Sequence, residues 1–238
     1  MFNSFSRKDF SILATFATTN RNVKLVTRKS AGIRLPKDLA GKRIGLVRGA
    51  AGEYFLDLVL LTYSIDPASV TVVDMTAQAM EAAVKNRSVD VFAAFEPGGF
   101  NLMKALKDDG FVVPLPTIYT MSFNLAGLHA VIEQRREQMP KLFRALEKAV
   151  RFIETDPHKA QAILVERLRV DASFVGWAWA DYRFNLTLNQ SLLTTLESQA
   201  HWAIRQELVA GKKVPDYLDL IDTRPLATVR PAYVTVVK

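Results

Sequence analysis

Arg48-Gly49-Ala50-Ala51-Gly52-Glu53 is the stretch whose residue types and spacing point most directly to chemistry. Two glycines bracket two alanines just before a helical pattern, which predicts a turn that ends in a helix N-terminus. Backbone N–H groups there lack intrahelical acceptors and share the positive end of the helix dipole, so they hold a small anion without side-chain chemistry. Arg48 adds a full positive charge. Thr76 and Gln78 offer polar side chains, Phe95 a wall, and Glu96 a carboxylate that can accept from a ligand amine or hydroxyl, or pair with Arg48. A purely anionic ligand is repelled by Glu96, whereas a zwitterion is not. The plain alternatives are close packing for the turn, a cap for Glu96, and core packing for Tyr54, which otherwise reaches the site from the first helical turn.

The elements that must position these residues read as strand, helix, strand, helix, strand. Ile44 to Val47 is a short apolar strand entering the turn, and Glu53 to Tyr63 is the helix leaving it. Val70 to Met75, Gln78 to Arg87 and Val89 to Phe95 continue the alternation. In such open sheets ligands gather beyond the carboxyl ends of the strands, here Arg48-Gly49, Asp74-Met75-Thr76 and Phe95-Glu96. Upstream, Ser11 to Thr18 and Val23 to Arg28 read as strands, and Pro36 with Asp38 opens a single helical turn closed by Gly41. Downstream, Phe100 to Asp108 is a helix, Phe111 to Leu115 an edge strand broken by prolines, and Ser122 to Val131 a further strand.

The remainder reads as helical. Leu142, Leu146, Ala149, Val150 and Ile153 form an amphipathic stripe after Pro140. Asp156-Pro157 caps the next helix, through Leu168, and Asp171 caps a third. Asn189 opens what reads as the longest, with Leu192, Leu193, Leu196, Ala200, Ile204 and Leu208 on one face. Asp38 and Asp90 read as structural hydrogen-bonding acids, and Trp177, Trp179 and Trp202 as packing residues.

DLAGKRIGLVRGAAGEYFLDLVL, VTVVDM and VDVFAAFEP, followed by MPKLFRALEKAVRFIETDPHKAQAIL and PDYLDLIDTRPL, resemble the nitrate/sulfonate/taurine group of ABC-transporter substrate-binding proteins. The resemblance spans nearly the whole chain. It implies an α/β fold of the periplasmic-binding-protein type II, with two lobes that each carry a central sheet. It assigns residues 1–25 and 123–238 to a helix-rich lobe I, and 26–122 to lobe II with the glycine turn. Members of the group begin with a strand-helix unit before the segment matching Ser11, so the resemblance implies that lobe I is incomplete here and the chain a fragment or late start. The ligand is expected between the lobes, held by Arg48, Gly49, Ala50, Ala51, Gly52, Glu53, Thr76, Gln78, Phe95 and Glu96. Ala50 stands where the group often has serine or threonine, which removes a hydroxyl donor and argues against simple sulfonate or nitrate recognition. The implied role is uptake of a small polar or anionic solute in the periplasm by a monomer that delivers it to permease subunits in the inner membrane. The same fold serves sensor domains. It also serves pyrimidine synthases of thiamin biosynthesis, whose cysteine-rich motif has no counterpart here.

Composition narrows the classes further. The 238 residues are 49% hydrophobic, enough for a sizeable core, and contain no cysteine, which excludes disulfides and thiol nucleophiles. The net charge of +7 is concentrated in residues 1–60, where eleven Lys/Arg face four Asp/Glu. A positive field of this kind raises the local concentration of anions, or is a solvated basic face. The basic residues are scattered singly and not interleaved with aromatics, so nucleic acid is not an expected partner. His129, His158 and His201 lack paired-ligand spacing, and no metal or cofactor is expected. No nucleophile elbow, Walker loop or dinucleotide fingerprint is present, so binding without turnover is the expected role.

Overall fold

The computed structural model describes residues 1–237. In chain order the elements are β1 (Phe10–Thr19), β2 (Val23–Arg28), β3 (Arg43–Leu46), α1 (Ala51–Thr62), β4 (Thr71–Asp74), α2 (Ala77–Asn86), β5 (Val91–Phe95), α3 (Gly98–Leu106) and β6 (Gly110–Val112). They continue with β7 (Met121–Leu128), α4 (His129–Gln134), α5 (Met139–Thr155), α6 (Pro157–Leu168), α7 (Ala172–Ala178), β8 (Tyr182–Thr187), α8 (Gln190–Arg205) and α9 (Arg224–Ala227). The chain divides into two compact units, one made of residues 1–19 and 121–238 and the other of 20–120. The sequence boundary at residue 25 falls inside β2, all of which pairs in the sheet of the 20–120 unit.

That unit is a five-stranded sheet in the order β4-β3-β5-β2-β6. β4, β3 and β5 run parallel, joined by strand-helix-strand crossovers, while β2 runs antiparallel to β5 and β6. The strands are short, and those at the centre are buried on both sides, which is why β5 reads as an unbroken apolar run, while β2 is buried throughout although it carries Lys24, Thr27 and Arg28. Alternation along β5 sends Phe92 and Ala94 into a core with Met80, Val84 and Leu102 of α2 and α3. The intervening Ala93 faces α1, whose Gly52 would place a Cβ 2.5 Å from the Ala93 carbonyl oxygen. Gly52 therefore lets α1 lie directly on the central strands.

The other unit carries a three-stranded antiparallel sheet, β7-β1-β8. Its core joins Ile12, Leu13 and Ala14 of β1 to Phe143, Leu186, Leu192, Leu196, Tyr217 and Leu226. Here the structure departs from the sequence reading of an all-helical remainder, because Tyr182–Thr187 is a strand. It pairs with β1 through contacts such as Ala17 with Phe184, and Leu186 is fully buried. The amphipathic stripe of α5 is met in part: Val150 is buried and Leu146 and Ile153 half-buried as expected, while Leu142 is 40% exposed and Phe143 is buried in its stead. The bulkier ring takes the core position at the start of the helix. α5, with 17 residues, is longer than α8, with 16.

Candidate functional site

β3 delivers the chain to the turn at Arg48-Gly49. Ile44, Gly45 and Leu46 are buried, and Gly49 adopts φ +68°, a left-handed conformation that reverses the chain toward α1. Ala50 is the N-cap and supplies no side-chain cap, so Ala51 and Gly52 begin the helix as first-turn amides. The turn is not a bare cradle. The Gly49 N–H donates to Glu53 Oε2 at 2.7 Å, and the Arg48 guanidinium donates to Glu53 Oε1 at 3.2 Å. The Arg48 N–H donates to Asp74 Oδ1 at 3.1 Å, linking the turn to the carboxyl end of β4. The Glu53 side chain is 9% exposed and that of Arg48 56%, so the carboxylate is held inward while its cationic partner reaches solvent.

Glu96 stands at the end of β5, before a cis Glu96–Pro97 peptide. Its side chain is 2% exposed and pairs with Lys24 Nζ at 2.9 Å; the Phe100 N–H in the first turn of α3 donates to its Oε2 at 3.0 Å. The expected alternative partner, Arg48, is held by Glu53 instead. Glu96 thus closes a buried ion pair and satisfies a helix N-terminus, which ties up the carboxylate the sequence reading offered to a ligand. Thr76 is the N-cap of α2, its Oγ1 accepting from the Ala79 N–H at 3.2 Å. Gln78 and Phe95 meet in a hollow of about 200 Å³ that also includes Glu81, Pro97, Asn101 and Leu102. Tyr54 is buried, its ring edge-on to Tyr119 with centroids 5.1 Å apart.

The ten candidates therefore sort into three arrangements. Arg48, Gly49 and Glu53, with the amides of Ala50, Ala51 and Gly52, form the turn cluster. Gln78 and Phe95 share the hollow, and Thr76 and Glu96 serve as caps. Sequence reading did not select Asp74 or Lys24. Each carried a signal: Asp74 is the charged end of a strand with two valines at its centre, and Lys24 is a charge inside a fully buried strand that also holds Arg28. Asp90 accepts from the Arg43 N–H at 2.9 Å and from its guanidinium at 3.1 Å, and this hydrogen-bonded arginine holds its carboxyl below the usual range. Asp38 accepts from the N–H groups of Arg34 and Leu35, each at 2.8 Å. Among the described residues no group of three or more His, Cys, Asp or Glu could hold a metal ion, and no helix is long and apolar enough to cross a membrane.

Solved structures with the same architecture include the periplasmic aliphatic sulphonate binding protein SsuA from Escherichia coli. It is 13% identical, with a TM-score of 0.73, over 92% of this chain and 76% of that one. A putative sulfonate ABC transporter component, the periplasmic sulfonate-binding protein SsuA from Methylobacillus flagellatus, is 16% identical with a TM-score of 0.77, over 96% and 71%. The desulfurization enzyme DSZB is 15% identical with a TM-score of 0.66, over 94% and 79%. At these identities the likeness shows the fold, and that fold carries both binding proteins and an enzyme. None of the curated proteins compared with the chain matches it. The family model described as NMT1/THI5 like matches residues 7–160, a span that holds the whole of the parallel sheet and its glycine turn, and the chain belongs to that family.

Proposed function

We propose that the protein is the solute-binding component of an ABC importer, taking a small polar molecule at the carboxyl ends of β3 and β5. The observation that carries this reading is the β3–α1 turn. It stands at the end of the central strand of a parallel trio, and the connections that leave the adjacent strands β3 and β5 run in opposite directions, to β4 on one side and to β6 on the other. Amides, a guanidinium and two carboxylates gather there within hydrogen-bonding range of one another. The residues assigned to the solute are Arg48 and the amides of Gly49 to Gly52, with Thr76, Gln78 and Phe95 as flanking contacts. The partners that follow are permease subunits in the inner membrane, and the compartment is the periplasm. The protein acts as a monomer.

Mechanism in this reading is selection without conversion. The chain has no thiol nucleophile, and its carboxylates Glu53, Asp74 and Glu96 are each engaged by neighbouring donors. The test is thermal unfolding against a panel of sulfonates, nitrate, amines and pyrimidines. A bound solute at about a hundred times its dissociation constant raises Tm by about 5 °C or more. No shift from any member overturns the reading. Mass analysis of the incubated solutes separates binding from turnover, and any product formed assigns the site to an enzyme.

A further inference from the structure

The β3–α1 turn is already filled by the chain's own negative charge. The Glu53 carboxylate, in a residue only 7% exposed, takes the Gly49 amide with one oxygen and the Arg48 guanidinium with the other. Asp74 takes the Arg48 amide. The charges of Arg48, Glu53 and Asp74 sum to one net negative, at the place where an anion would otherwise be received. The neighbouring pair, Lys24 with Glu96, is neutral. An incoming oxyanion meets Gly49 and Arg48 amides that are already engaged and two carboxylates that oppose it, and in a partly buried site such repulsion is weakly screened.

We propose that Glu53, assisted by Asp74, is the specificity-determining residue of this site, rejecting simple oxyanions and favouring solutes that present a cationic or neutral donor group. This rests on the solute-binding reading for its location. A capping box explains why a glutamate in the first turn reaches back toward the residues before the helix, but it does not require an arginine on the second oxygen. The ion pair with Arg48 and the second carboxylate from β4 make the turn a charge filter as well as a cap.

The experiment is calorimetric titration of the full chain and its Glu53→Gln and Asp74→Asn variants with sulfate, ethanesulfonate and taurine. Taurine differs from ethanesulfonate by an ammonium group. Glutamine at position 53 keeps an acceptor for the Gly49 amide, and Asp74→Asn removes charge at a separate position should the first variant fold poorly. Sulfate and ethanesulfonate are expected to bind the variants at least about tenfold tighter than the unsubstituted protein, with taurine gaining less. Oxyanion affinities unchanged by both substitutions, including no binding to any form, overturn the proposal. The two ideas fail separately. A panel solute that binds while the variants show no gain leaves the solute-binding reading and removes the filter; a gain in the variants with no panel solute bound does the reverse.

Discussion

Lys24 and Glu96 form the most enclosed ion pair around the site, with side chains 10% and 2% exposed. Taking one partner away leaves the other charge buried without compensation, which costs more than the pair itself contributes. Lys24→Met is therefore expected to destabilise the protein by about 3–5 kcal/mol in urea unfolding. Adding Glu96→Gln to it is expected to recover part of that loss, and a double variant as unstable as the single would show that the charge was not the cause. Asp90 behaves differently because its partner Arg43 is half exposed. Its hydrogen bonds to Arg43 depress its folded pKa, so its contribution is complete above the unfolded value of about 3.9 and is lost as pH falls through the folded one. Asp90→Asn is expected to lower Tm near neutrality while flattening its fall in acid, checked by unfolding scans across that range.

Gly52 decides how α1 meets the sheet. A methyl group there would meet the Ala93 backbone oxygen at 2.5 Å, and backbone cannot yield as a flexible side chain can. Gly52→Ala is expected to cost about 1–3 kcal/mol, with the helix displaced from β5; a neutral result in urea unfolding would show that the turn adapts. The strands and helices around Gly52 were readable from sequence because apolar runs, glycine breaks and capping residues agreed with one another. Val23–Arg28 and Pro157–Leu168 follow the reading at their ends. β8 was not read. Tyr182, Phe184, Leu186 and Leu188 alternate correctly for a strand, but the run sits between strongly capped helices and its pairing partner β1 lies more than a hundred and sixty residues earlier. The turn cluster was read as to place but not as to state. Spacing located the amides, whereas the occupation of those of Gly49 and Arg48 by Glu53 and Asp74 depends on side-chain reach across two elements, which no periodicity encodes.

For the molecule as a whole, the surplus of positive charge in residues 1–60 suggested a field that gathers anions. At the β3–α1 turn that surplus is cancelled by local carboxylates, so net charge and site charge have opposite signs. The division into units also has a temporal side. Residues 20–120 are one uninterrupted segment, and every strand of the five-stranded sheet lies within it. During synthesis that sheet can close as soon as residue 120 has left the ribosome. β1, by contrast, meets its partners β7 and β8 only after about a hundred and then more than a hundred and sixty further residues have been made. Until then it is a nascent strand of ten largely apolar residues, FSILATFATT, in need of shielding from its neighbours on the polysome.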